Sequence, residues 1–236
     1  MKKRASREPQ RRRKRTARPI SWGEQSEHCE DRVNGVVLLR AEPISPCDRQ
    51  EIATGRVWLD LGTGDGRFAR WLASAHPMDR VIGVDACYAN LREAMRRAPA
   101  NASFLIADIL ELPPDVLATL TELAPQVAQV TINFPWGSLL RGLLPEDGRL
   151  LAKLTTFTQP GAVIEARLNG GALAEIGWQL DNAGQAIQRG LREAGFAMQA
   201  PIVLGAAELH AYPTTWAKRL AFGRDPRALY LRGVRT

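Results

Sequence analysis

The sequence predicts an α/β protein, a mostly parallel sheet with helices on both faces. Apolar runs of strand length recur from position 57 onward. Stretches of helical length separate them, as crossovers between parallel strands require. The first run stops at Gly62-Thr63-Gly64-Asp65-Gly66, a tight turn of the kind that leads a strand into a helix.

The elements follow in order. Residues 36–39 (VVLL) read as a short strand, and 45–53 as a helix opened by Pro43 and Pro46. Residues 57–61 form the first buried strand, and 67–75 a helix that stops ahead of Pro77. A second strand spans 81–84, a helix 88–97 and a third strand 103–107. The fourth strand, 127–132, runs into Asn133-Phe134-Pro135-Trp136-Gly137. A helix over 148–157 leads to a fifth strand, 163–168. Residues 185–194 are amphipathic, with Gly195 as their C-terminal stop. Residues 202–204 and 229–234 close the sheet, and the chain has no internal repeat.

The 236 residues, 45% hydrophobic and 24% charged, suit one domain of about 200 residues with an appendage. No apolar run is long enough to span a bilayer, so no membrane partner is expected. Three scattered cysteines (Cys29, Cys47, Cys87) argue against a secreted disulfide scaffold and for a reducing, cytoplasmic home. Three histidines (His28, His76, His210) do not suggest a His-rich metal site, and no metal is expected.

The net charge of +7 is unevenly spread. Residues 1–18 carry ten basic residues and one acid, residues 216–236 six and one, and the body between them is acidic, at −7. The first stretch has almost no apolar content and cannot bury a core. Residues 1–32 are therefore expected to be a basic, disordered extension, and 33–236 the folded domain. Such an arm suits phosphate neutralisation, although a targeting sequence or a mis-assigned start has similar composition.

The glycine loop lacks the third glycine of the dinucleotide fingerprint, since position 67 is arginine. With no pyrophosphate to hold, its acids Asp60 and Asp65 suit a cationic ligand, such as a sulfonium bearing an α-amino group. Asp85 ends the second strand, where a carboxylate can accept both ribose hydroxyls. Asp108 follows the third, placed either for an adenine amino group or to cap its own turn. This ordered set resembles the class I S-adenosylmethionine-dependent methyltransferases, a Rossmann-like fold whose mostly parallel sheet has seven strands.

The fourth strand of such a fold ends beside the reacting methyl. Here it delivers Trp136, whose indole face is a platform for a nucleobase. A second tryptophan, Trp216, stands beside Lys218, Arg219 and Arg224, the mixture of aromatic and basic residues that nucleic-acid binders use. Trp58 and Trp71 read as core.

Three segments, DLGTGDGR (60–67), NFPWGSLL (133–140) and WAKRLAFGR (216–224), together resemble the aminoglycoside-resistance 16S rRNA methyltransferases of the Kam type. The resemblance covers roughly residues 57–235 and implies methylation of N1 of adenine 1408 in the decoding region of the 30S subunit by a monomeric enzyme. It implies that Trp136 and Trp216 hold the flipped adenine as the catalytic pair. Cofactor contacts would fall on Asp60, Gly62, Gly64 and Asp85, on Asp108, Ile109 and Leu110, on Asn133, Phe134, Pro135 and Ser138, and on Thr214. The RNA surface would be read by Arg92, Arg96, Arg97, Lys218, Arg219 and Arg224. The chain departs from the family in its long basic N-terminal stretch and in Asp225-Pro226-Arg227, where the next RNA-contacting arginine has no secure match.

Other readings stay open on the residues alone. Asn133-Phe134-Pro135-Trp136 resembles the N-P-P-aromatic motif of N6-adenine methyltransferases, with Phe134 in place of the first proline. A tRNA guanine-N7 methyltransferase and a non-catalytic rRNA-binding assembly factor are the remaining alternatives.

Overall fold

The structure is a computed structural model and describes residues 55–236, except Arg224, together with the strand Leu38–Leu39. The extension 1–32, its boundary and the helix expected over 45–53 lie outside the described residues.

Among the described residues nine strands form one sheet: β1 (Leu38–Leu39), β2 (Val57–Leu61), β3 (Arg80–Asp85), β4 (Ala102–Ile106), β5 (Val127–Asn133), β6 (Val163–Asn169), β7 (Phe196–Met198), β8 (Ile202–Leu204) and β9 (Ala228–Arg235). The five central strands, in the order β4-β3-β2-β5-β6, all run parallel. β9 lies antiparallel beside β6, β7 and β8 pair antiparallel with β9, and β1 pairs antiparallel with β4. The expected count of seven is thus corrected to nine, for two local reasons. β7 and β8 lie along the same edge of β9 as two pieces, parted at residues 199–201, where Pro201 has no amide hydrogen to give. β1 then adds a two-residue strand beyond β4.

Among the described residues the helices are α1 (Arg67–Ala75), α2 (Tyr88–Arg96), α3 (Pro114–Leu123), α4 (Gly137–Arg141), α5 (Arg149–Phe157), α6 (Gly170–Glu175), α7 (Leu180–Glu193), α8 (Ala206–Ala211) and α9 (Thr215–Ala221). α1 forms because Phe68, Ala69, Leu72 and Ala73 repeat at helical spacing and bury one stripe. α7 buries Ala183, Ile187 and Leu191 in the same way and stops at Gly195. None of these helices is long and apolar enough to cross a membrane.

The sheet separates two cores. On one face Leu59, Leu61, Val130, Ile132, Ile164 and Leu231 pack against α3, α5 and α7. Cutting a fully buried side chain there, such as Leu154, back to alanine would cost about 2–5 kcal/mol. On the other face α1 and α2 cover β3 and β4 through Phe68, Leu72, Leu91 and Phe104. Over β5, β6 and β9 that second face changes character. Register aligns Thr131, Glu165 and Arg232 in one row and Asn133, Arg167 and Tyr230 in the next. Side chains alternate along strands, so these polar groups share one face near the carboxyl ends of the parallel strands.

Candidate active site at the carboxyl edge of the sheet

The glycine loop turns as its composition requires. Gly62, Gly64 and Gly66 all have positive φ. A Cβ at Gly62 would collide with the side chain of Leu139, whereas one at Gly64 would meet no atom within 4 Å. Backbone is therefore exposed at Gly64, open to a ligand's close approach. Beside it, the Asp85 carboxylate accepts from Gly64 N at 2.8 Å and from Cys87 N at 2.9 Å. Burial raises the Asp85 pKa above the usual carboxylate value, and the two amides work against that shift.

Asp60 is held entirely from within the protein. It is 1% exposed. Thr63 Oγ1 donates to its Oδ2 at 2.5 Å, while Thr131 Oγ1 and Asn133 Nδ2 donate to its Oδ1 at 2.7 and 3.1 Å. A carboxylate in the middle of a buried sheet must find its donors within the protein. Burial still pushes its pKa up to about 6, against the lowering effect of these hydrogen bonds. Asp65 is likewise engaged: it accepts from Thr215 Oγ1 at 2.6 Å and pairs with Arg67 at 3.3 Å.

Asp108 caps its own turn, accepting from Leu110 N at 2.9 Å, and the side chains of Ile109 and Leu110 are buried in the core. Phe134 is the one described non-glycine residue with positive φ, at 53°, and its ring is buried against Leu209, Ala217 and Ala228. That backbone is strained for a bulky side chain and reverses the chain so that Pro135 is buried while Trp136 sits half-exposed at the rim. Ser138 is exposed in the first turn of α4. Thr214 caps α9, its Oγ1 accepting from Ala217 N at 2.9 Å.

Trp136 and Trp216 come together, with ring centroids 5.8 Å apart and planes inclined by 34°. A base between them needs two stacking gaps of about 3.5 Å, roughly 7 Å in all. The pair must therefore open by about 1 Å and flatten to admit one. Arg219 lies over the Trp216 ring at 5.3 Å, and Lys218 is exposed beside it. Arg92, Arg96 and Arg97 are exposed on and just beyond α2, the last two tethered by Glu93 at 3.4 and 2.7 Å. Arg224 lies outside the described residues.

The sequence reading missed the polar network beneath the rim. Asn133 Oδ1 accepts from Tyr212 Oη at 2.9 Å and from Arg167 at 3.1 Å. Arg167 continues to Glu165 at 3.1 Å and is sandwiched by the rings of Tyr212 and Tyr230, at 4.3 and 4.6 Å. Tyr230 Oη donates to Glu165 at 2.6 Å. Burial lifts the Tyr212 hydroxyl well above the ordinary phenol range, so it remains a donor. A signal was present: β6 alternates Glu165 and Arg167 with buried Ile164, Ala166 and Leu168, and charges on one face of an interior strand demand partners. The network also bears on N6 chemistry, because the Asn133 carbonyl, the acceptor an exocyclic amino group would need, already receives two donors.

Comparison with known proteins decides the family. The profile described as "NpmA: 16S rRNA (adenine(1408)-N(1))-methyltransferase" matches residues 39–235. The chain belongs to this family of methyltransferases. A relative from Streptoalloteichus hindustanus, named 16S rRNA (adenine(1408)-N(1))-methyltransferase, is 31% identical over 185 residues, 72% of this chain and 82% of its own. One of the same name from Escherichia coli is 28% identical over 190 residues, with the same shares of 72% and 82%. Among solved structures, the 16S rRNA methyltransferase KamB superposes with a TM-score of 0.68 at 26% identity, covering 85% of this chain and 98% of that one. The aminoglycoside resistance methyltransferase NpmB1 gives 0.63 at 27% identity, covering 86% and 100%. The fold of this methyltransferase is therefore the class I α/β fold, with its glycine loop, Asp85 and two tryptophans all at the carboxyl edge of the parallel strands.

Proposed function

We propose that this enzyme transfers the methyl group of S-adenosylmethionine to N1 of adenine 1408 in the 16S rRNA of the 30S subunit, giving aminoglycoside resistance. The observation that carries the reading is the Trp136–Trp216 pair, two indole faces 5.8 Å apart with Arg219 and Lys218 beside them. The open backbone at Gly64 and the fixed Asp85 carboxylate suit the donor's cationic and ribose portions. When bound, S-adenosylmethionine supplies an electrophilic methyl on sulfur.

Adenine N1 has a free lone pair at neutral pH, so its attack requires no proton to be removed. Asp60 has both oxygens committed to Thr63, Thr131 and Asn133 and serves as scaffold, not base. The chain's contribution is positioning, which lowers the barrier by entropy already spent. Extruding the base costs a few kcal/mol, and stacking on Trp136 and Trp216 returns about 1–3 kcal/mol for each. The methylated base is a cation, which the indole faces also favour. The exposed arginines of α2 and α9 read phosphates and shape, and the basic stretch 1–18 adds phosphate contacts. Action on rRNA implies a cytoplasmic enzyme.

Primer extension on rRNA from expressing cells tests this. N1 methylation blocks pairing and stops the polymerase at adenine 1408, whereas N6 monomethylation allows read-through. Assembled 30S subunits should be methylated and naked 16S rRNA little. Read-through at 1408 with methyl incorporated elsewhere would refute the assignment.

A further inference from the structure

Trp136 and Trp216 belong to different segments, and their spacing depends on what joins those segments. Trp136 follows the strained turn at Phe134, three residues beyond Asn133 at the end of β5. Trp216 sits in the first turn of α9, four residues beyond Tyr212. Asn133 and Tyr212 are bonded to each other, Tyr212 Oη to Asn133 Oδ1 at 2.9 Å. Arg167 holds both partners, donating to Asn133 Oδ1 at 3.1 Å while its guanidinium lies 4.3 Å from the Tyr212 ring centre.

We propose that Arg167 is a positioning residue that, through Asn133 and Tyr212, sets the separation and tilt of the Trp136–Trp216 clamp. This rests on the reading of the two tryptophans as the base-holding pair.

The geometry of Arg167 suits that task. Its side chain is 11% exposed, and no described residue places a carboxylate against it other than Glu165. Glu165 is itself held by Tyr230 Oη at 2.6 Å and Arg232 at 3.6 Å, so the guanidinium is clamped from the far side as well. A planar fork can serve Glu165 and Asn133 at once while its faces stack on Tyr212 and Tyr230, which an ammonium cannot reproduce. Asn133 Nδ2 donates to the buried Asp60, so a flip of the amide would leave two donors facing the Nδ2 group and Asp60 facing a carbonyl. Arg167 and Tyr212 therefore fix the amide in one orientation, and with it the start of the segment that carries Trp136. Arg167 itself lies beneath the rim, and its effect on the reaction passes through these two residues.

The variants are Tyr212→Phe, which removes only the hydroxyl, Arg167→Met, which removes the cation at similar volume, and Arg167→Lys as the conservative partner. Two readouts are needed: kcat for methyl transfer at saturating 30S and S-adenosylmethionine, and the far-ultraviolet exciton couplet of the indole pair, assigned by its loss in Trp216→Phe. Tyr212→Phe and Arg167→Met should lower kcat on the order of 10–100-fold, as displacements of about 1 Å do. They should shrink the couplet and leave 30S affinity near wild type; Tyr212→Phe should also keep the melting temperature near wild type, whereas Arg167→Met, which takes a donor from the nearly buried Glu165, should lower it, and Arg167→Lys should fall between. If either readout stays at the wild-type value in both variants, the proposal is overturned. It is also overturned if melting temperature, 30S affinity and kcat all fall together, since that is the mark of general destabilisation. If the wild-type protein fails to methylate adenine 1408, the functional reading fails separately, and the couplet alone then decides whether Arg167 sets the clamp.

Discussion

Thr215 Oγ1 donates to Asp65 Oδ2 at 2.6 Å, joining the glycine loop to the N-terminus of α9 across 150 positions of sequence. One side of this bond faces the cofactor loop; the other is the residue next to Trp216. A ligand that orders the loop should therefore bias the helix that carries Trp216 and Arg219. In wild type, cofactor should alter 30S affinity by a measurable coupling factor. Thr215→Val should abolish that coupling while changing stability by no more than about 0.5 kcal/mol, as surface substitutions usually do. The check is 30S affinity measured with and without S-adenosylmethionine for both proteins.

The tryptophans act after docking. Trp136→Ala and Trp216→Ala should bind 30S nearly as well as wild type, because exposed arginines supply the encounter energy. Both should lose methyl transfer, and phenylalanine at either position should keep part of it. Trp216→Ala also removes the ring under Arg219, so its affinity should fall slightly more than that of Trp136→Ala. By contrast, Arg219→Glu should fail at binding itself. The paired measurement is 30S affinity and tritiated methyl incorporation at saturating 30S, with a melting curve on each variant.

Asp85 is held by two amides and is expected to receive the ribose hydroxyls. Asp85→Ala should weaken S-adenosylmethionine by about 1.5–3 kcal/mol, the cost of losing a charged acceptor. Asp85→Asn, which keeps one acceptor, should lose less. Calorimetry in the absence of RNA reads this directly, and unchanged affinity would remove Asp85 from the site.

Asp60 predicts a pH signature. Its folded pKa of about 6 lies above its value of about 3.9 in an unfolded chain. The folded state therefore binds the proton more tightly, and the contribution of Asp60 to stability is fully present below about pH 4 and is lost as pH rises through about 6. Asp60→Asn cannot ionise. Its stability relative to wild type should rise between about pH 4 and 6 and be flat on either side. Urea unfolding of both proteins at a series of pH values gives the difference, and a difference independent of pH would show that Asp60 does not titrate in that range.

The fold was legible where one physical signal dominated. β2, β3, β5 and β6 are strand-length segments rich in apolar residues and bounded by turns, and the sequence bounds agree with the structure to within a residue or so. The short C-terminal helices were not legible. α8 and α9 have six and seven residues, too few for an amphipathic repeat to emerge. They form because Thr214 caps α9 and because Leu209 and Ala217 bury against Phe134, a tertiary cause invisible in local sequence. At the site, motif position brought forward residues that lie at the carboxyl edge of the sheet, but not the hydrogen bonds they make. The hydrogen bonds of Asp60 to Thr63, Thr131 and Asn133 are an example. Its register opposite Thr131 turns it inward, and register is not written in any single segment.

The divided edge formed by β7 and β8 has a consequence for the protein in concentrated solution. An unbroken strand along β9 would present a straight row of unpaired amides and carbonyls, a template on which another copy can add. Ile202 and Val203, half-exposed on β8, would make such a template sticky. The interruption at residues 199–201 leaves two three-residue stubs, with Gln188 Nε2 donating to the carbonyl of Gln199 at 2.5 Å in the gap. Neither stub is long enough to nucleate cross-chain pairing, so the break protects the protein from edge-to-edge aggregation without any charge on β8 itself.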